Sequence, residues 1–167
     1  MKTLITYSTS HGCTENTAME LKEHLGGEVQ LANLKDNPNP ELEKFDRIII
    51  GGSIHAGQIQ KRVKDFCAKN MDELKTKELG LFICCMEEGE SAQKQLRTAF
   101  PEELHEVAKS TAIFGGEFDF EKMNFFEKMV VKKVAKVKAS TSKIDHQAIH
   151  KFSKRMDKIF NPFLFLV

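Results

Sequence analysis

A run of hydroxyl-bearing residues follows the first apolar segment of the chain and precedes a helical one. Ser8, Thr9, Ser10 and Thr14 supply the hydroxyls, and Gly12 lets the backbone turn tightly. Hydroxyls and free backbone N–H groups at a helix start form a cradle for a phosphate. The run lacks the lysine of a nucleoside triphosphate loop and the three glycines of a dinucleotide loop. It therefore favours a phosphate monoester held by neutral donors, with a Ser/Thr-rich helix cap as the alternative.

Two further turns are candidates for a ligand site. The first follows an apolar run and reads Gly51-Gly52-Ser53-Ile54-His55-Ala56-Gly57. Its glycines and small side chains let the backbone approach a flat ligand closely, with a plain strand-to-helix turn as the alternative. The second candidate follows another apolar run and reads Cys84-Cys85-Met86-Glu87-Glu88-Gly89-Glu90-Ser91.

The elements that would position these turns alternate along the chain. Apolar runs typical of strands lie at 4–7, 29–32, 47–50, 79–85 and 111–114. Amphipathic segments typical of helices lie at 15–25, 61–70, 92–100 and 145–160. This alternation predicts an α/β fold with a parallel sheet covered on both faces. Ligands of such sheets bind outside the carboxyl ends of the strands, where all three turns would lie.

Length and composition predict a single globular domain over residues 1–167. The chain is 41% hydrophobic and 29% charged, with a net charge of +1, which gives no overall attraction to nucleic acid. Cys13, Cys67, Cys84 and Cys85 form no C-x-x-C pair, so neither a metal site nor a disulfide framework is expected. Cys84 and Cys85 would point to opposite faces of a strand as small buried side chains, with a redox pair as the alternative. No signal peptide or membrane span is evident, and the expected location is cytoplasmic.

The three turns resemble those of the flavodoxin family. The residues Tyr7-Ser8-Thr9-Ser10-His11-Gly12-Cys13-Thr14-Glu15 look like its phosphate loop, and Asp46-Arg47-Ile48-Ile49-Ile50-Gly51-Gly52-Ser53 looks like its third strand and flavin-side turn. The resemblance covers about residues 1–115 and the last helix. It implies a flavodoxin-like three-layer α/β/α sandwich with a five-stranded parallel sheet, order 2-1-3-4-5, and FMN as the cofactor.

The resemblance also implies a role for each turn. Thr9, Gly12 and Thr14 would hold the FMN phosphate with backbone N–H groups from Ser10 to Glu15, and His11 stands where the family usually has a hydroxyl. As an imidazolium, His11 would add positive charge there. Residues 53–57 would pack on one face of the flavin ring, and residues 86–89 would approach the other face or the pyrimidine edge.

The family's usual aromatic pair around the ring is missing. The chain has no Trp and a single Tyr, and His55 stands at the usual Trp position. We therefore expect a more open flavin. His55 is also the candidate proton partner in catalysis. Glu87 and Glu88 would disfavour negative charge on the reduced flavin and lower its potential.

Residues 118–140 form an expected insertion after the fifth strand. Apolar residues recur there at helical spacing, and lysines occupy the remaining positions. The apolar positions are Met123, Phe126, Val130, Val134 and Val137. A basic amphipathic helix from Lys122 to Lys138 would lie on an anionic membrane surface or bind a partner, and a helix packed on the core with a solvated lysine face is the equal alternative. The insertion and the stretch 51–57 are similar to the menaquinone-dependent protoporphyrinogen IX dehydrogenase branch of the family.

The resemblance implies an FMN-dependent oxidoreductase that passes electrons from a porphyrinogen substrate to a quinone. The alternative is a flavodoxin that carries single electrons between redox partner proteins. A cofactor-free phospho-receiver is a third hypothesis, but Ser8-Thr9 and Gly51-Gly52 stand where receivers need acidic residues.

Charge is distributed unevenly along the chain. Residues 1–120 hold 14 basic and 20 acidic residues, whereas residues 121–167 hold 11 and 4. The negative charge of residues 1–120 and the positive charge of residues 121–167 therefore nearly cancel in the total. Contact of the basic end with the inner face of the membrane is compatible with a cytoplasmic location. The apolar tail at 161–167 would pack on the core, touch lipid or join a homodimer.

Overall fold

The protein is described by a computed structural model over residues 1–119, 121, 123–134 and 140–159. The strands within these residues are β1 Lys2–Tyr7, β2 Glu28–Asn33, β3 Arg47–His55, β4 Gln58–Ile59, β5 Glu78–Cys84, β6 Ala108–Ile113, β7 Glu117–Phe118 and β8 Thr141–Ser142. The helices are α1 Cys13–His24, α2 Lys61–Lys69, α3 Met71–Leu74, α4 Gly89–Ala99, α5 Glu102–Val107, α6 Phe125–Val134 and α7 His146–Asp157.

A parallel sheet in the order β2-β1-β3-β5-β6 lies at the centre. This is the predicted order 2-1-3-4-5 when the parallel strands are numbered alone, and each predicted apolar run overlaps one of them. The short β4 pairs with the end of β3 in antiparallel fashion and was not predicted. It forms because Ala56 and Gly57 adopt φ values of 48° and 76°, which turn the chain back on itself as a tight hairpin.

Two apolar clusters cover the two faces of the sheet. Side chains of α2, α4 and α5 pack on one face, and side chains of α1 and α7 pack on the other. Cys85 belongs to the first cluster and Cys84 to the second, as expected for neighbours in an extended segment. The three-layer α/β/α fold is therefore confirmed.

The glycine pair of β3 serves packing inside the sheet. A Cβ atom at Gly51 would lie 2.0 Å from Cζ of Phe82, and one at Gly52 would lie 2.7 Å from the side chain of Ile59. Strand β3 continues through both glycines to His55, so the expectation that the turn begins at Gly51 is wrong. Side chains on β5 and β4, which sequence spacing does not reveal, require these two small residues.

The segment between β6 and α7 contains β7, α6 and β8. β7 and β8 form a small antiparallel pair, and α6 lies between them in the chain. The predicted insertion helix overlaps α6, but residues 135–139 lie outside the described residues, as does the tail at 161–167. No helix in the described part of the chain is long and apolar enough to cross a membrane.

Candidate functional site

The hydroxyl-rich loop joins β1 to α1 in a compact turn. The backbone N–H of Ser8 donates to the carbonyl of Gly51 over 3.2 Å, which fixes the loop against β3. The N–H of Gly12 donates to Oγ1 of Thr9 over 2.9 Å. Gly12 has φ 92°, a conformation that favours glycine, and directly precedes α1. These two bonds and the Gly12 turn place the loop between the end of β1 and the start of α1.

Two hydroxyls of this loop are buried without partners. Oγ of Ser8 and Oγ1 of Thr14 make no hydrogen bond to any described residue, and both side chains are almost fully buried. The N–H groups of Cys13, Thr14 and Glu15 precede the first bond of α1, which runs from the N–H of Asn16 to the carbonyl of Gly12. Unsatisfied buried hydroxyls are costly, and phosphate oxygens would accept from them. This donor set fits a phosphate monoester.

The β3–β4 hairpin holds a side-chain network at the same end of the sheet. Gln60 donates from Nε2 to Oγ of Ser53 over 2.5 Å, and its Oε1 accepts from the Ser53 N–H over 3.0 Å. Oγ of Ser53 lies 3.3 Å from Nε2 of His55. Ser53 therefore bridges Gln60 and the imidazole of His55. Gln60 was missed by the sequence reasoning, which had no signal for a residue beyond the turn.

His55 and His11 bring the hairpin and the hydroxyl-rich loop together. Their ring centroids lie 5.9 Å apart in an edge-to-face arrangement. Partial desolvation lowers the pKa of His55 although the residue is exposed overall, the neighbouring His11 lowers it further, and Glu127 opposes both effects. His55 is therefore mainly a neutral imidazole at pH 7.

Glu127 of α6 joins this cluster from the insertion. Its Oε2 lies 2.5 Å from Nε2 of His11. Its Oε1 accepts from Nδ2 of Asn124 over 2.8 Å, and Oδ1 of Asn124 accepts from the Glu127 N–H over 2.8 Å. Asn124 thus caps α6 in a reciprocal capping arrangement. The Asn-x-x-Glu spacing was a signal for the helix start, but nothing in the sequence placed Glu127 at the loop.

The third turn lines a cavity of about 530 Å³ at the ends of β5 and β6. Its lining residues are Cys85, Met86, Glu87, Glu88, Gly89, Glu90, Ala92, Gln93, Ile113, Gly115, Lys143 and Asp145. Four of these residues are acidic and one is basic, Lys143, whose Nζ lies 3.6 Å from Oε1 of Glu88. Neither the hydroxyl-rich loop nor the hairpin lines it, although Ser53 and Cys84 pair directly in the sheet. The three predicted turns therefore share one edge, but only the first two are joined by side-chain contacts.

The family model of the flavodoxin domain matches residues 4–145. The chain belongs to the flavodoxin family. Flavodoxin domains bind FMN, so FMN is the cofactor of this chain, and the free hydroxyls and N–H groups of the loop suit its phosphate. The chain is accordingly a flavodoxin-like flavoprotein of the oxidoreductase class.

A curated relative matches part of this domain. Protoporphyrinogen IX dehydrogenase [quinone] of Escherichia coli K12 is 38% identical over 78 residues, which are 44% of this chain and 42% of that protein. Because the match spans less than half of either chain, it supports an oxidoreductase and leaves the substrate to a proposal.

Solved structures share the fold. Oxidised flavodoxin 1 of Bacillus cereus superposes with a TM-score of 0.59 at 19% identity, covering 96% of this chain and all of that one. Flavodoxin 2 of Bacillus cereus superposes with a TM-score of 0.58 at 22% identity, covering 93% of this chain and 97% of that one. The rubredoxin:oxygen oxidoreductase of Desulfovibrio gigas gives 0.55 at 19% identity, covering 93% of this chain and 36% of the other. At these identities the likeness establishes the fold alone.

Proposed function

We propose that this flavodoxin is an FMN-dependent oxidoreductase that works at an anionic membrane surface and passes electrons from a porphyrinogen-type substrate to a quinone. The exposed apolar face of α6 carries the proposal. Phe125, Phe126, Met129 and Val130 are 79%, 73%, 53% and 45% exposed. A helix whose apolar side packs on the core would bury these side chains, so the alternative of a helix with only its lysine face in solvent is disfavoured.

The charge of the segment supports a lipid surface as the partner of α6. Lys128, Lys132 and Lys133 lie on the same helix as the exposed aromatic side chains. Residues 121–167 hold 11 basic and 4 acidic residues, opposite in sign to the acidic body. Basic amphipathic helices with exposed Phe bind anionic membrane interfaces, where quinones reside. The partial match to a quinone-linked dehydrogenase agrees with this assignment.

The binding residues proposed for FMN follow the geometry of the strand ends. When bound, FMN supplies the electron-transfer chemistry, and the protein supplies binding and orientation. The hydroxyls of Ser8 and Thr14 and the N–H groups at the start of α1 would donate to the phosphate. The hairpin around His55 and the turn around Glu87 would flank the ring. His55, neutral at pH 7, would accept a proton released from the substrate.

The catalytic part of the proposal is tested with reconstituted protein. FMN-loaded protein is mixed without oxygen with protoporphyrinogen IX and a menaquinone analogue, and porphyrin fluorescence is followed. Porphyrin formation that requires both FMN and quinone is expected. Flavin that is reduced by neither porphyrinogen nor quinol would overturn this assignment. A His55→Gln variant should lower kcat most at neutral and alkaline pH, where His55 is the neutral base, and least at acidic pH, where the wild-type imidazole is already protonated.

The membrane part has its own test. The wild-type protein should sediment together with vesicles that contain phosphatidylglycerol. The double variant Phe125→Ser with Phe126→Ser should remain in the supernatant. Met19→Ser is the matched control because Met19 is also exposed, at 51%, but lies on α1. Lys132→Glu with Lys133→Glu should weaken binding to anionic vesicles and leave binding to neutral vesicles unchanged. Equal retention of all variants would exclude α6 as the contact.

A soluble single-electron carrier is the second candidate, favoured by the acidic body. Residues 1–120 carry 20 acidic and 14 basic residues, and the acidic cavity beside Glu87 resembles a docking surface for a basic redox protein. A redox titration distinguishes the two. Two well-separated one-electron potentials together with slow quinone reduction would support the carrier, whereas a single two-electron step with fast quinone reduction would support the enzyme.

A further inference from the structure

The contact between His11 and Glu127 closes the hydroxyl-rich loop with a residue 116 positions away along the chain. The side chain of His11 is 17% exposed and that of Glu127 is 40% exposed, so the pair is partly shielded from water. No lysine or arginine lies within residues 8–14. His11 is therefore the one side chain of the loop that can carry positive charge toward a phosphate.

We propose that the carboxylate of Glu127 is an internal competitor of the flavin phosphate: it occupies His11 in the FMN-free protein, and phosphate binding at the loop releases α6. The inference rests on the proposed placement of the FMN phosphate between Ser8 and Thr14. It adds a regulation of that site, in which cofactor loading and the position of the membrane-facing helix are coupled.

Like-charge repulsion is the physical basis of the competition. A phosphate seated on the free hydroxyls of Ser8 and Thr14 would lie beside His11, and the Glu127 carboxylate is already in contact with that ring. Two anions then share one imidazole. Since a phosphate monoester carries up to two negative charges and gains several further donors in the loop, it wins the contact.

The local structure of α6 makes Glu127 an effective competitor. Both of its carboxylate oxygens are engaged, Oε1 by Asn124 and Oε2 by His11. The reciprocal capping bonds fix its side chain in the first turn, so the carboxylate cannot leave His11 unless the start of α6 moves or the cap opens. Loss of the contact therefore requires a change in the first turn of α6.

The other titratable group facing His11 is His55, from the end of β3. Among the described residues, Glu127 and His55 are the ionisable side chains recorded in contact with the His11 ring. Since His55 is neutral at pH 7, it neither replaces Glu127 as a counter-ion nor adds an attraction for phosphate.

Flavin binding by the folded apoprotein tests the competition. Glu127→Gln removes the negative charge and keeps the shape of the side chain and its bond to Asn124. The Kd of the variant protein for FMN should therefore be about fivefold lower than that of the wild type at low salt. The gain should shrink in high salt, because the pair is partly exposed. Riboflavin, which has no phosphate, should bind both proteins equally. An unchanged or weaker affinity of Glu127→Gln for FMN would overturn the proposal.

Controls separate the competition from the site on which it rests. Glu121→Gln is the matched charge control, because Glu121 is exposed and precedes α6. In a His11→Gln background, adding Glu127→Gln should give a much smaller gain. Thr14→Val should weaken FMN binding in every background; if it does not, the placement of the phosphate fails, whereas a failed Glu127→Gln effect alone rejects only the competition.

Movement of α6 has a separate readout. The chain has no Trp, so Phe125→Trp places a single fluorescent reporter on α6. Inorganic phosphate, which does not absorb the emission as flavin does, should lower the anisotropy of this reporter, and chloride at equal ionic strength should not. Adding Glu127→Gln should give low anisotropy from the start. No response to saturating phosphate in the Glu127-containing protein would contradict the release of α6.

Discussion

Arg47, at the first residue of β3, donates from its guanidinium to the carboxylate of Asp157, the last residue of α7, over 2.7 Å. The arginine is 2% exposed and also donates to the carbonyl of Met156 over 2.5 Å. Its Nε lies 3.4 Å from Oε2 of Glu78. Asp157 in turn accepts from the N–H of Gly26 after α1. The buried guanidinium of Arg47 therefore joins α7 to the end of the sheet that lies opposite the functional site.

Replacing this cation should destabilise the fold. Arg47→Met removes the cation that pairs with Asp157 and Glu78, although Asp157 keeps the Gly26 N–H and the Met156 carbonyl keeps Lys109 as donors. We expect a loss of about 3 kcal/mol in the free energy of unfolding. Urea denaturation measures it. Lys44→Met is the control, because Lys44 is exposed and pairs only with Glu41, and its midpoint should not move. Equal midpoints for both variants would mean that the buried pair contributes nothing net.

The partnerless hydroxyl of Thr14 predicts opposite effects on stability and on binding. Thr14→Val removes an unsatisfied buried oxygen, so the apoprotein should be as stable as the wild type or more stable. The Kd for FMN should rise about tenfold, because a bond to the phosphate is lost. Flavin fluorescence and urea denaturation measure the two quantities.

Thr3 offers a matched control for this experiment. Its Oγ1 is also buried without a partner among the described residues, but Thr3 lies at the far end of β1. Thr3→Val should resemble Thr14→Val in stability and the wild type in FMN affinity. Equal losses of FMN affinity at the two positions would argue against a phosphate at the loop.

Charge at the third turn should tune the flavin. Glu87→Gln removes a negative charge beside the predicted ring position, so reduction becomes easier and the potential should rise by roughly 20 mV. Glu88→Gln should have a smaller effect, because Glu88 is already paired with Lys143. Spectroelectrochemical titration gives the potentials. Glu106→Gln, an exposed change on α5, should leave them unaltered, and an equal shift there would indicate a general charge effect.

The cysteines should be unreactive in the folded protein. Burial raises the pKa of Cys67 to about 12 and that of Cys85 to about 11. The hydrogen bond with Cys84, together with burial, raises that of Cys13. The same bond lowers the pKa of Cys84, but its side chain is only 2% exposed and is shielded from reagents. A thiol reagent at pH 8 should therefore react slowly with native protein and fully in denaturant. Rapid reaction of two thiols in the native state would instead favour a redox pair.

The same shifts give a pH dependence of stability. A thiol whose pKa is raised in the folded protein stays protonated at pH values where the same thiol in the unfolded chain has ionised. Its contribution to the free energy of unfolding is therefore complete below about pH 9. It is lost progressively as the pH rises toward the folded values of about 11 and 12. Cys67→Ala should therefore flatten the decline of the urea midpoint above pH 9. An identical decline in the variant would show that other groups cause it.

Features that depend on short stretches of chain could be predicted from the residues alone. The alternation of apolar runs and amphipathic segments predicts the strands, the helices and the layers. This is possible because the spacing of apolar residues within one element shows which of its sides packs on the core. The loop from Ser8 to Thr14 is likewise local, since one strand, one glycine turn and one helix start create it. Even the opposite faces of Cys84 and Cys85 follow from the geometry of a single strand.

Features that join distant positions depend on how the helices and strands pack together. Three features depend on which elements become neighbours. They are the packing of Gly51 against Phe82, the hydrogen bond of Gln60 to the hairpin, and the exposure of Phe126. The contacts of His11 with Glu127 and of Arg47 with Asp157 bridge more than a hundred residues. Periodicity reports which face of an element is apolar but not which element covers it. The cluster at the functional edge therefore depends on the contact between the insertion helix α6 and the loop.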